Sequence, residues 1–218
     1  MNLPHVHVVS TGLRSPFRAR CEASVASQTG VSFDHEYIEA GDQDPPLTKM
    51  ENLRNAIVRL DPETPVALVD GDDMLSRSDA LAIVAKHHAA GAWVTIGSFQ
   101  FMDGRPGFAA PYKTDNYRME PWCGTHLKTF RAGLFQRLRE DDLKFNGEWI
   151  DRADDPAFMF GVLEQAGKDR IVFCPEILYH YDLAASFEWS ATQAELAHER
   201  AIVAHVRGLK PYERLESL

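Results

Sequence analysis

The run "ALVDGDDML", residues 67–75, takes an apolar strand directly into Asp70, Asp72 and Asp73. Carboxylates crowded at the end of a buried strand repel one another and lose hydration. They persist only where a cation, a set of amide donors or open water compensates them. Such a strand has to end at an open sheet edge, and in open α/β sheets the ligand crevice lies beyond the carboxyl ends of the strands. Gly71 lets the backbone turn sharply and keeps a side chain out of a ligand's way. Hard oxygen donors of this kind suit Mg²⁺ or Mn²⁺, with substrate phosphates and water filling the remaining positions. The competing reading is that one or two of the acids cap the next helix and stay solvated.

The flanking sequence supports an α/β layer. "HVHVVS" (5–10) alternates as a first strand, and Ser15 with Pro16 opens a helix to about Gln28. "FDHEYIEA" (33–40) is a second strand. Thr48 and Glu51 have capping-box spacing ahead of Met50, Leu53, Ile57 and Leu60, the apolar face of a helix. "PVALVD" (65–70) is a third strand, apolar throughout as in the centre of a parallel sheet. Ser76 and Asp79 form a second capping box, for a helix to about Ala90. Three strand–helix alternations predict right-handed crossovers over one sheet.

The second half reads differently. "AWVTIGSFQFM" (92–102) is a long β-rich run, and 103–124 lacks periodicity and reads as a loop over a site. Leu127, Phe130, Leu134, Phe135 and Leu138 recur at helical intervals. Residues 155–167 read as a helix, "RIVFCPEILYHY" as two short strands around Pro175, and 188–207 as a terminal helix packed on the body.

A formal net charge of -9 argues against broad nucleic-acid binding, so no nucleic-acid partner is expected. Cys21, Cys123 and Cys174 are far apart, without the spacing of a disulfide framework or a zinc site, which fits a reducing, cytoplasmic setting. No basic, apolar leader and no apolar run of about 18 residues occurs, so no transmembrane segment is expected.

Counted from Asp70, an EF-hand loop would need Gly at Leu75 and an acid at Leu81, so that motif fails. No Walker or dinucleotide glycine loop is present. A haloacid-dehalogenase-like phosphatase also ends a strand in Asp-x-Asp, but it normally has Thr or Val where Met74 stands and carries the motif on its first strand.

Taken together, the blocks resemble family 2 glycosyltransferases of the GT-A fold. "VVSTGLRSPFRARCEASVASQT" resembles the first strand and helix, and "YIEAGDQ" stands where the family has an acidic stretch. "ENLRNAIVRL" carries the Arg-Asn pair that precedes the DxD strand, and "LVDGDDML" is close to the family's DxD segment. "HLKTFRAGLFQRL", "DDPAFMFGVLEQAG" and "EILYHYD" resemble later blocks of a bacterial subgroup, in that order, so the match spans about residues 5–187.

The resemblance implies a GT-A-like, Rossmann-like three-layer α/β/α fold with a mostly parallel central sheet. Residues 1–218 form one domain: a nucleotide-sugar-binding half to about 102, an acceptor and catalytic half from about 103 to 187, and a C-terminal helix over 188–218. Thr11 and Glu39 line the nucleoside pocket, although Glu39 is followed by Ala40 and not by a second acid. Arg54 approaches the donor diphosphate or is an ordinary helix-face arginine. Asp70 and Asp72 bind the nucleotide sugar, with Asp72 on a divalent metal, Mn²⁺ or Mg²⁺, and His180 completing its shell.

Asp155 matches the position of the base in an inverting transfer, while an Asp before Pro156 is also a good N-cap. His126, Lys128 and Arg131 contact acceptor or diphosphate, or neutralise nearby acids. The implied activity moves a sugar from a nucleoside-diphosphate donor to a hydroxyl acceptor: a glycan, a lipid-linked glycan or a protein. It implies a cytoplasmic enzyme, peripheral at the inner face of a membrane or free, and compatible with a homo-oligomer. A Mg²⁺-dependent phosphohydrolase and a non-catalytic nucleotide-sugar-binding relative are the alternatives.

Overall fold

Val6, Val8 and Val9 start the sheet, their β-branched side chains filling both faces of an inner strand. In this computed structural model, which describes residues 2–12, 17–39, 47–183 and 191–218, strand β1 (Val6–Gly12) leads into helix α1 (Arg18–Ala26) and β2 (Phe33–Glu39). The Ser15–Pro16 helix start lies outside the described residues. Then follow α2 (Lys49–Ile57), β3 (Pro65–Leu68), the two-residue β4 (Met74–Leu75), α3 (Ala80–Ala89) and β5 (Val94–Phe101). The second half adds β6 (Thr129–Arg131), α4 (Ala132–Gln136), β7 (Lys144–Phe145), β8 (Glu148–Trp149), α5 (Asp154–Ala166), β9 (Ile171–Tyr181) and α6 (Gln193–Gly208).

Seven strands form one sheet in the order β2-β1-β3-β6-β5-β9-β4. β6 runs antiparallel to β3 and β5, and β4 antiparallel to β9, while the other pairings are parallel. Successive β3 residues face opposite layers, as a pleated strand requires. Val66 and Leu68 pack with α2, α4, α5 and α6, and Ala67 and Val69 pack with α1 and α3. The expected three-layer α/β/α architecture is therefore present. Ile202 and Val206 bury the terminal helix against the first of these clusters. Among the described residues no helix is long and apolar enough to cross a membrane.

Local expectations divide. The Thr48 box closes: Glu51 N donates to Thr48 Oγ1 at 3.2 Å, and Thr48 N to Glu51 Oε2 at 2.8 Å. The Ser76–Asp79 box does not, because Ser76 Oγ donates to Ile177 O at 2.7 Å and Asp79 pairs with Arg77. Residues 127–138 are not one helix. Thr129–Arg131 form a rung between β3 and β5, where Thr129 Oγ1 meets Thr95 Oγ1 at 2.6 Å, and a single turn of helix follows.

"RIVFCPEILYHY" is one strand and not two. Its ladder to β5 steps from Gly97–Cys174 to Ser98–Ile177, so Pro175 and Glu176 bulge out where proline has no N–H to donate. Asn146 and Gly147, both at positive φ, turn the small β7–β8 hairpin, an Asn-Gly signal that was present in the sequence.

The middle of the 103–124 loop is anchored rather than poised over the sheet edge. Tyr112 and Tyr117 are buried edge-to-face at 5.1 Å, and buried Arg118 forks onto Glu164 of α5 at 2.6 and 2.9 Å.

Gly97 fixes where the loop re-enters the sheet. A Cβ there would lie 2.6 Å from Leu127 N and 3.0 Å from His126 O. Gly97→Ala should therefore push the 126–128 segment off β5 and cost about 1–3 kcal/mol. Thermal melting should show a fall of several degrees, and an unchanged melting temperature would show that this contact does not fix the segment.

Candidate active site

The turn after β3 is stitched to the end of β1: Val69 N donates to Val9 O at 3.1 Å and Gly71 N to Thr11 O at 2.9 Å. A Cβ on Gly71 would collide with Tyr37 Oη and lie 3.0 Å from Thr11 O, so this close approach requires glycine. Asp70, Asp72 and Asp73 leave the sheet here, and each is compensated differently.

Asp70 Oδ1 accepts a hydrogen bond from Lys49 Nζ at 2.8 Å, and the same ammonium lies 2.9 Å from Asp154 Oδ2. Asp70 Oδ2 faces His126 Nε2 at 3.8 Å. Lys128 Nζ closes the circuit, donating to Asp155 Oδ2 at 2.5 Å and lying 3.3 Å from His126 Nδ1. Burial alone would raise the Asp70 carboxyl and lower the Lys49 ammonium. The opposing charges win, with Lys49 and Lys128 holding Asp70 well below its ordinary range and Asp154 and Asp70 holding Lys49 well above its own. Burial, followed by the neighbouring Lys128 charge, pushes His126 down to about 3 and leaves it neutral. Because an ammonium only donates, Nδ1 accepts from Lys128 and the ring proton sits on Nε2.

Asp73 is 2% exposed and bonded inward: Tyr179 Oη donates to its Oδ2 at 2.8 Å and Asp182 N to its Oδ1 at 2.7 Å. Tyr179 Oη also accepts from Asp70 N at 3.0 Å. Burial and the charges of Asp70 and Asp72 push the Asp73 carboxyl well above its ordinary value. It is thus neither a solvated acid nor a helix cap. Arg20 pairs with Asp182 at 2.7 Å and donates to Asp72 O at 2.5 Å, fixing the turn from the side of α1.

Among the described residues, donor atoms of Asp70, Asp73 and His126 come within 4.8 Å of one another, a spacing that could hold a metal ion. Asp73 already uses both oxygens, and the Nε2 proton occupies the lone pair His126 would need. Of that grouping, Asp70 keeps the carboxylate whose hard oxygens suit Mn²⁺ or Mg²⁺, and Asp72 is not in it. His180 is not in that grouping: it pairs with Met74 across β9 and β4, and burial lowers its pKa.

Helix α5 begins at Asp154, so Asp155 is in its first turn and not at its N-cap, which falls on Ala153. Ala153 adopts φ 50 and ψ 35, a left-handed conformation that costs an alanine about 1–2 kcal/mol. From this residue Asp154 reaches Lys49 and Asp155 reaches Lys128. Asp155 Oδ2 is occupied by Lys128, whereas Oδ1 is buried without a hydrogen-bond partner.

The other expected residues scatter. Thr11 is buried at the end of β1, and Glu39 Oε2, at the end of β2, accepts from Arg18 Nη1 at 2.6 Å. The Arg18 guanidinium lies 4.3 Å from the Tyr37 ring centroid. Arg54 turns away to Glu140 at 3.2 Å, and it is Lys49, in the first turn of α2, that reaches Asp70. Arg131 pairs with Glu63 and sits opposite Pro65, at the far end of β3 from the acids. Lys128, 1% exposed, spends its ammonium on Asp155 and is not open to an acceptor. Sequence reasoning missed Lys49, Arg20, Tyr179 and Asp182, and it left Asp154 as the alternative to Asp155 for the base, where the structure pairs Asp154 with Lys49. Only Tyr179 and Asp182 carried a signal, as neighbours of His180 in "LYHYD".

The sheet order, the helix layers and the acids beyond β3 define a GT-A-like α/β fold. Solved structures sharing it include those of S. aureus TarS. The 1–349 fragment is 15% identical over 94% of this chain and 70% of that one, with a TM-score of 0.57. The same fragment in complex with UDP is 16% identical over 94% and 65%, with a TM-score of 0.58. In complex with UDP-GlcNAc it is 14% identical over 97% and 68%, with a TM-score of 0.56. At these identities the likeness is one of fold. No protein-family model matches the chain, and no curated protein matches it.

Burial first, and the Asp70 charge second, push the Asp72 carboxyl up to about 6. The folded chain thus holds this proton more tightly than an unfolded one, whose Asp titrates near about 3.9, so the stabilisation is complete below about pH 4 and is lost as pH rises through about 6. Asp72→Asn removes the charge that opposes folding above that range. In metal-free buffer it should stabilise the protein by about 2 kcal/mol at pH 7.5 and by progressively less toward pH 4. A variant that melts no higher than the native protein at pH 7.5 would contradict this assignment.

Proposed function

We propose that the chain is a glycosyltransferase that moves a sugar from a nucleoside diphosphate to a hydroxyl acceptor with inversion at the anomeric carbon. The observation carrying this reading is the convergence beyond β3 of a carboxylate turn and a separate carboxylate, Asp155, in the first turn of α5. The fold shared with TarS, solved with UDP and with UDP-GlcNAc, supports a UDP-sugar donor. As in family 2 enzymes, Thr11 and Glu39 would face the nucleoside, Asp70 the ribose or sugar, and Asp72 with Asp70 the Mn²⁺ or Mg²⁺. When bound, that ion supplies Lewis-acid stabilisation of the negative charge growing on the leaving diphosphate.

The residues of the chain perform the rest. The Asp155 carboxylate accepts the proton of the acceptor hydroxyl as the hydroxyl oxygen bonds to the anomeric carbon. The bond from that carbon to the diphosphate breaks, and its electron pair leaves with the diphosphate. General-base help of this kind is worth about 10²- to 10⁴-fold. The acceptor is a glycan, a lipid-linked glycan or a protein. The enzyme acts as a single domain in the cytoplasm, at the inner face of a membrane when the acceptor is lipid-linked.

Thermal-shift titration with UDP and UDP-sugars, with and without Mn²⁺, tests donor binding, and product analysis tests transfer. Native protein and Asp155→Ala should both be stabilised by nucleotide plus metal, Asp72→Ala should not, and Asp155→Ala should lose about 10²-fold or more in transfer. Full transfer by Asp155→Ala, or no nucleotide response from the folded native protein, would overturn the proposal.

A further inference from the structure

Lys128 is among the largest fully buried side chains of the protein, a position at which a lysine is rarely found unless paired. An isolated ammonium there would carry a desolvation penalty of several kcal/mol, so its placement needs a compensating partner. That partner is Asp155 Oδ2 at 2.5 Å, with His126 Nδ1 at 3.3 Å as a second acceptor. No substrate can reach a side chain that is 1% exposed, so Lys128 has no direct contact to offer donor or acceptor.

We propose that Lys128 is a positioning residue that holds Oδ2 of Asp155 and so fixes the rotamer in which that carboxylate meets the acceptor hydroxyl. This rests on the glycosyltransferase reading above. A carboxylate on a two-bond side chain has several rotamers, and the ammonium selects one of them. Lys128 is itself held by β6, the reversed strand whose next residue, Thr129, is hydrogen-bonded to Thr95 and His88. His126 links it to Asp70 Oδ2, and Lys49 anchors the adjacent Asp154, so the head of α5 is gripped at two successive residues. The two lysines differ in reach. Lys49 touches the donor-side carboxylate Asp70 as well as Asp154, whereas Lys128 touches the base and His126.

The test compares Lys128→Met, which keeps the volume and removes the charge, with Lys128→Gln, which keeps a hydrogen-bond donor. Steady-state transfer is measured with the UDP-sugar that the native enzyme turns over. For Lys128→Met, kcat should fall about 100-fold while the donor KM stays within about twofold, since misplacing a reacting group by about 1 Å costs that much. Lys128→Gln should recover a measurable part of kcat. A structural role alone would lower the melting temperature without this split or this rescue. Unchanged kcat in both variants, or a raised donor KM at unchanged kcat, would overturn the inference.

A crystal structure of either variant is independent of turnover. The Asp155 carboxylate should leave its native rotamer in Lys128→Met, and an unmoved carboxylate also overturns the inference. If Lys128→Met does not fold, Lys128→Gln decides by the same two readouts. A displaced Asp155 in a protein whose native form transfers nothing would count against the glycosyltransferase reading alone.

Discussion

Asp70 stands at the end of a buried strand with one oxygen on Lys49 and the other facing His126, and the site is built outward from that carboxylate. Lys49 carries the contact to Asp154, Lys128 holds Asp155, those two acids are consecutive, and neutral His126 stands between Lys128 and Asp70, so these groups form a ring around the turn. A ring of this kind answers the difficulty posed by three acids at a strand end. Ammonium groups balance Asp70, and Tyr179 and the Asp182 N–H hold Asp73, before any ligand arrives, while the Asp72 carboxyl is pushed up by burial and by the Asp70 charge. A buried ion pair is weak support for stability, because desolvation consumes most of the attraction. Its consequence here is geometric: it sets the distance between a donor-side turn on β3 and a carboxylate on α5.

The architecture serves that distance. A purely parallel sheet would not place a strand running from the carboxyl end between β3 and β5. The reversed β6 does so, and it leaves His126 and Lys128 just ahead of its start, level with the end of β3. Gly97 lets this segment lie against β5, and the left-handed Ala153 aims the start of α5 at the lysines. The left-handed Ala153 lies beside the ring, where strain is sustained by the interactions it permits.

Much of this was readable from residues, and the remainder was unreadable for definite reasons. The alternation of strands and helices in the first half, the Thr48 cap and the acid turn after β3 are local signals, and they hold. The run from Leu127 to Leu138 misled because its apolar residues pack on both sides of a strand-to-helix switch, and a mixed segment can mimic helical spacing. Arg54 entered through the family resemblance and Lys49 was not singled out, because sequence spacing cannot tell which turn of α2 points toward β3. Arg131 shares a short motif with His126 and Lys128, yet a strand of that length separates the ends of the sheet. Asp154, Tyr179 and Arg20 gain their roles only from contacts distant along the chain, which no window on the sequence contains.

The central claim is that the ring beyond β3 is where a nucleoside diphosphate binds, and a crystal structure of the native protein with a nucleoside diphosphate and Mn²⁺ tests it most directly. The account predicts the diphosphate against the 70–73 turn, the ion on Asp70 and Asp72, and Asp155 still held by Lys128. A nucleotide seated elsewhere, with the Asp70–Lys49 and Asp155–Lys128 pairs undisturbed and the turn empty, would contradict it.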